Sequence, residues 1–503
     1  MSSNSRTQRV SRAMWLATTA ITGAIIMSLE IAAFRLYAPY FGYSIYVWGS
    51  MISVVMAALA VGYAAGGPFG DRCLSDLPLY SLILSSAVYQ LVIVWTAPWL
   101  LPRFARYGDF AGTSLATLVI FAPSMMALAI AGPFVIRLLA RAGAIGATAG
   151  KVYAMSTAGG IGGILATSLF LVPRFGTQAT LLIACGLSAV TGMIGITARR
   201  GVALLALIPI ALIPIMMIIR VPQRSWPANT LWARESPYNL VRVAQSGSRR
   251  LLVLNDQGSV HTIRSQASEW TGYYYDAFAL GPLLVDARRA LVLGMGAGQS
   301  IATARAAAPD LEIDAVEIDP EVVEAGARFF DLPTHADWLH IHVADARRWL
   351  AQVQSRYDLV QVDLYQGGPY IPFYLATVEF FESVRAHMNE DGLLMMNVFD
   401  VNPNRELLTS IAATLKRVFP SVMVLPIGSS NHIVFAFSRE QSISSIRDQL
   451  NRAPGGEVFS RLARTATRRM AELDAPDGTL VFTDDHAPIE EITRRMIANA
   501  GNQ

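Results

Sequence analysis

The order of apolar and polar positions divides the chain in two. Up to about residue 220, long apolar runs follow one another at about 14–40, 45–67, 78–101, 112–137, 150–172, 177–198 and 201–219. Each approaches or exceeds the roughly 20 residues that a helix needs to cross about 30 Å of hydrocarbon. The first run is longer than the apolar part of a signal peptide, contains Glu30 and has no small-residue cleavage site. After Val221-Pro222 the prolines and charges return, and from Tyr238 short Val/Ile/Leu runs alternate with helical patterns. The expectation is a multi-pass α-helical transmembrane domain over 1–220 with about seven spans, a linker over 221–235, and a soluble domain over 236–503. That domain would open with a small β-rich segment, about 236–264, and continue as a doubly wound, Rossmann-like α/β fold. DGLLMMNVF, SVMVLPIG and HIVFAFS supply later strands, the last two as an antiparallel edge pair.

Composition sharpens this picture. Of 503 residues, 53% are hydrophobic and 15% charged, against about 25% charged in an ordinary soluble chain. Disorder and a purely cytosolic enzyme are excluded. Lys+Arg 40 against Asp+Glu 37 is too balanced for a nucleic-acid partner. Cys73 and Cys185 both lie in or beside apolar segments, which excludes a disulfide framework or cysteine metal cluster. With a cytoplasmic N-terminus, Arg6, Arg9, Arg12, Arg72, Arg137, Arg141, Arg199 and Arg200 fall inside, and Arg103, Arg106 and Arg174 outside. Seven crossings would put the soluble domain outside; an even count, with one weak run re-entrant or the Pro209/Pro214 run at the interface, would put it inside. Glu30, in the first span, should face the bundle interior or a wet cavity, paired with Arg35 or Arg137. The AGGIGG run at 158–163 imitates a nucleotide loop, but within an apolar span it reads as close helix packing.

The chemistry lies in the second half. ALVL ends at Gly294, Gly296 and Gly298, an alanine-rich helix follows, and the next strand, IDAVEID, delivers Glu317. Glycines admit a ligand to the backbone, and an acid about 20 residues on accepts ribose hydroxyls. Gln299 stands where a dinucleotide loop needs a small residue, so the loop suits a single adenosine. Asp345 ends the following strand, within reach of an adenine amino group, and Asp363 ends YDLVQVDLYQ. Ligands of open parallel sheets bind beyond the strands' carboxyl ends, so Glu317, Asp345 and Asp363 should share one crevice holding an S-adenosyl ligand. His335, His340 and His342 lack an acid or thiol to complete a metal site, and no metal is expected.

SPYNLVRV (236–243), VLGMGAGQS (292–300), AVEIDPEVV (315–323), VADARRWL (343–350) and YDLVQVDLY (357–365) resemble segments of the spermidine synthase, or polyamine aminopropyltransferase, family. IPFYLATVEFFE (371–382) and TDDHAPIE resemble the bacterial subgroup that fuses this domain to a membrane half. The resemblance implies transfer of an aminopropyl group from decarboxylated S-adenosylmethionine to a small amine such as putrescine, with release of methylthioadenosine. It further implies Asp363 as the base, Glu317 on the ribose and Asp345 on the adenine. His261 would contact the nucleoside, and Tyr274, Asp276 and Gln366 the amine. A homodimer and a bacterial-type cell membrane, with the soluble domain on the cytoplasmic face where the cofactor is made, are compatible with it. Two departures stand out: Ala297 replaces an acid that would pair with the cofactor's amine, and Gln366 replaces a second acid of the amine site. They leave open an S-adenosylmethionine-dependent methyl- or aminocarboxypropyl-transferase on a membrane-delivered acceptor. A ligand-sensing transporter without catalysis also stays open. TDDHAPIE is expected to be structural.

Overall fold

The computed structural model describes residues 2–41, 44–73, 75–140, 145–197, 226–255, 259–266, 268, 270–366, 368–402, 404–452, 457–476 and 478–500. It divides into two compact units, Met1–Ser225 and Trp226–Gln503. The expected span at 201–219 lies outside the described residues, as do Arg141, Arg199 and Arg200.

The first unit is helical. Among the described residues, five of its helices are long and apolar enough to cross a membrane by length and composition: Arg12–Ala38, Ile45–Arg72, Leu77–Ala105, Ala122–Leu139 and Ile145–Thr197. The run expected at 112–137 is broken into Asp109–Ile120, Ala122–Ala129 and Ala131–Leu139. Pro123 and Pro133 each lack an amide hydrogen and sit where a new helix starts more easily than an old one continues. The two runs expected at 150–172 and 177–198 meet at Gly176, whose φ of 77° and ψ of 173° interrupt the helical path.

AGGIGG packs as its setting implied. A Cβ at Gly159 would lie 1.9 Å from the carbonyl oxygen of Ala20, and one at Gly163 2.3 Å from that of Ala24. Glycine lets the two backbones touch. Arg137 faces Asp71 at 3.8 Å rather than Glu30, which is half-buried. A polar cluster crosses the interior: Gln90 Nε2 donates to the hydroxyls of Ser86, Ser124 and Ser188 at 3.1, 2.9 and 3.2 Å.

The second unit holds two sheets. β1 (Thr230–Glu235), β2 (Leu240–Ser246), β3 (Arg249–Leu254) and β4 (Val260–Ser265) form an antiparallel sheet in that order. β1 begins inside the stretch expected to be linker: TLWARE is short and half-exposed, so its apolar signal is weak, yet it pairs with β2 along its length. The larger sheet contains β5 (Arg289–Leu293), β6 (Glu312–Glu317), β7 (Leu339–Val343), β8 (Tyr357–Val362), β9 (Met388–Phe399), β10 (Ser421–Ile427), β11 (Asn431–Phe437) and β12 (Ala471–Glu472). Its order is β12-β10-β11-β9-β8-β5-β6-β7. The strands from β9 to β7 run parallel, and β11, β10 and β12 are antiparallel. β10 and β11 do pair antiparallel, but the short β12 lies beyond β10, so the pair is not the sheet's edge. Alternate side chains of β5 feed opposite faces, Leu291 and Leu293 into one apolar core and Ala290 and Val292 into the other. The chain leaves β5 with β6 on one side and β8 on the other, the switch point where a crevice opens.

Candidate active site

At that switch point lies a cleft of about 990 Å³, partly open to solvent, lined from both sheets. Gly294 starts the loop after β5 with φ 79°, and a Cβ there would fall 2.4 Å from the carbonyl oxygen of Asp363. Only glycine lets the loop lie this close to the end of β8. Gly296, with φ 51°, points its N–H at Glu317 Oε2, 3.1 Å away. Glu317 Oε1 also accepts the N–H of Asp319 at 3.1 Å. Asp319 is fully buried, caps the helix Pro320–Phe329 and accepts from Ser236 and Asn239 at 2.6 and 3.0 Å. SPYN, which connects β1 to β2, and EID at the tip of β6 therefore form one joint. Desolvation pushes the Glu317 carboxyl up to about 7, against the pull of its N–H donors.

Asp345 caps the helix Ala346–Leu350, taking the Arg348 N–H at 2.9 Å, while its other oxygen accepts from the Tyr374 hydroxyl at 2.8 Å. Tyr374 is held at its other end too: its carbonyl accepts from Arg347, which Asp484 grips with both oxygens at 2.7 and 2.5 Å. TDDHAPIE thus acts structurally, bracing the cleft's roof. Asp363 accepts the Tyr274 hydroxyl at 2.9 Å on one oxygen and the Asn397 amide at 3.0 Å on the other. Burial lifts its pKa to about 6, despite both donors. Burial and the Asp363 charge raise Tyr274, so it remains a hydroxyl donor.

His261 lines the cleft from β4. Its Nε2 is buried without a hydrogen-bond partner among the described residues, and burial lowers its pKa to about 4, keeping the ring neutral. An unanswered polar atom on a residue that lines a hollow suits a ligand that brings its own donor or acceptor.

Gly294, Gly296, His261, Tyr274, Glu317, Asp345, Asp363 and Gln366 all line this one cleft. Two expected residues do not. Asp276 is turned into its own loop, accepting from the Thr271 N–H and hydroxyl and the Gly272 N–H at 3.1, 2.9 and 2.7 Å. It is a loop clamp, because the short helix Tyr274–Ala279 aims neighbouring side chains in different directions. Gly298 starts the helix Gln299–Ala307 with φ 92° and abuts Leu332. Ala297 is 1% exposed, packs in an apolar cluster with Val241, Val322 and Phe330, and does not itself line the cleft. Asn397 and Tyr374 escaped the sequence reading; Asn397 could have been found as the polar intruder in LLMMNVF. His342, the best of the histidine group, bonds Asp314 at 2.9 Å.

Among the described residues, the cleft lining contains three carboxylates and no lysine or arginine.

Residues 281–447 match the family described as "Spermine/spermidine synthase domain". A "Probable polyamine aminopropyl transferase" of Bifidobacterium longum is 30% identical over 289 residues, covering 54% of this chain and 64% of that protein. The chain thus spans less than two thirds of that relative. A "Polyamine aminopropyltransferase" of Corynebacterium efficiens is 26% identical over 447 residues, 81% of each chain. A human "eEF1A lysine and N-terminal methyltransferase" is 29% identical over 157 residues, 29% of this chain and 22% of that one. Residues 281–447, which supply much of the cleft's lining, thus form a spermine/spermidine synthase domain, and the chain is similar to polyamine aminopropyltransferases.

Proposed function

We propose that the protein is a membrane-anchored aminopropyltransferase that uses decarboxylated S-adenosylmethionine and an amine acceptor. The observation that carries this reading is the cleft with three carboxylates and no cationic side chain. A sulfonium nucleoside with a primary ammonium finds complementary charge throughout, whereas the carboxylate of intact S-adenosylmethionine would meet only acids, amides and hydroxyls. Glu317 and Asp345 hold the nucleoside. Asp363, oriented by Tyr274 and Asn397, takes the amine's proton. The freed nitrogen lone pair attacks the methylene next to the sulfonium, the C–N bond forms, and the C–S pair goes to sulfur, releasing neutral methylthioadenosine. With so good a leaving group, alignment and proton removal are what the protein must supply.

The test is methylthioadenosine release by the full chain in detergent, given decarboxylated S-adenosylmethionine and a mixture of primary amines including putrescine. No release would defeat the reading. One observation favours a second reading: Ala297 brings no acid to the glycine loop and packs in an apolar cluster, which suits an S-adenosylmethionine-dependent transferase. Calorimetry separates the two, since tighter binding of the intact cofactor would select the second.

Membrane anchoring is supported by the five long apolar helices and by their exposed large side chains, including Trp95, Trp99, Leu169 and Phe170. The cofactor is made in the cytoplasm, so the catalytic unit belongs on that face. A C-terminal alkaline phosphatase fusion should be inactive; strong phosphatase activity would put the unit on the wrong side.

A further inference from the structure

The charges of the cleft are unevenly spread. Glu317 and Asp345 stand at the tips of β6 and β7, on one side of β5, and Asp363 follows β8 on the other. On the transfer reaction proposed above, the first two serve the nucleoside, and Asp363 alone meets the acceptor. The wall around it is aromatic and amide in character: Tyr274 and Tyr275, with ring centroids 4.0 Å apart, then Tyr365 and Gln366. The nearest further acid in sequence, Asp276, is 4% exposed, committed to the Thr271–Gly272 backbone, and feels the charge of Arg461.

We infer that the acceptor carries one cationic end, the amine that reacts, and an uncharged remainder; it is a monoamine rather than a diamine. This rests on the aminopropyl-transfer reading. A diamine would bring a second ammonium among rings and an amide with no carboxylate to receive it, losing hydration without an ion pair. The tyrosine faces would return part of that loss. An alkyl or aryl tail makes the same contacts and has no charge to desolvate.

The experiment uses the full chain in detergent at pH 8, with saturating decarboxylated S-adenosylmethionine and either putrescine, 1-butylamine or phenethylamine. Methylthioadenosine release gives kcat/KM for each. The better monoamine should come within about threefold of putrescine or exceed it, because a missing ion pair leaves little discrimination. Putrescine ahead of both by more than that overturns the inference. Gln366→Glu should move the putrescine-to-butylamine ratio toward putrescine by about tenfold, equivalent to about 1.4 kcal/mol for a new ion pair. A ratio that does not move would overturn the assignment of this wall to the acceptor's far end. Silence with all three amines would instead remove the transfer reaction itself.

Discussion

In the helical unit Gln90 reaches three serine hydroxyls, and Ser188 donates back to its carbonyl at 3.4 Å. In the C-terminal unit, Nε2 of the cleft residue His261 and Oδ1 of Asn397, which donates to the cleft's Asp363, are buried and unanswered among the described residues. Both sets are polar groups in apolar surroundings, where an unmade hydrogen bond is expensive. The first is closed by folding alone, and this is what a polar clamp between helices requires. The second is left incomplete beside two carboxyls whose pKa values are raised to about 7 and about 6. Unpaired atoms also occur away from the cleft, at Thr113 and Thr493 for example; their combination with carboxyls that are hard to ionise is what marks the site.

Asp363 is where a single substitution should have the largest effect. Asp363→Asn keeps the shape but removes the base, so methylthioadenosine release should fall by about 10²–10⁴-fold. Calorimetric affinity for the nucleoside should hardly change, and a variant with near-normal turnover would return Asp363 to the scaffold. Glu317→Gln should act on binding instead, weakening the nucleoside by about 10–100-fold, since hydrogen bonds to a charged group contribute about 1.5–3 kcal/mol.

A pH series comes next. Asp363 must be ionised to accept a proton, so kcat should rise about tenfold per unit up to pH about 6 and level off above it. Stability should move the other way. Both folded carboxyls hold protons that their unfolded counterparts release near pH 4, so the folded state loses stability as pH rises from about 4 to about 7. Thermal unfolding across that window checks the sign, and Asp363→Asn should flatten the slope. The smallest effect on turnover belongs to the clamp. Gln90→Leu strands serine hydroxyls and should cost about 1–3 kcal/mol of stability, seen as a lower Tm, with turnover per folded molecule unchanged. A drop in kcat would mean the helical unit takes part in the reaction.

Much of the sheet was legible because its signals are local. A Val/Leu run, a glycine turn and an acid at the next strand's tip follow from backbone sterics and period-2 burial, and Gly294, Gly296 and Glu317 lie where that logic puts them. AGGIGG was legible for the same reason, since glycine in an apolar helix has few uses besides close approach. Other features depend on partners that a linear reading does not see. Hydropathy registers the apolar run of 112–137 but not its breaks at Phe121 and Ile130. β1 is visible only through its pairing with β2. Asp276 turns into its own loop because one residue's step around a tight helix carries a side chain from hollow to loop. Tyr374 acquires its importance from Arg347 and Asp484, more than a hundred positions further along for the latter.

The lopsided charge of the hollow also bears on how a catalytic cycle would finish. On the proposed chemistry the sulfur enters as a cation and departs as a plain thioether. One of the attractions that retained the reactant is erased by the very step it served. The spent nucleoside should accordingly be a weaker inhibitor than a sulfonium mimic of the same shape, and added salt should narrow the gap between them.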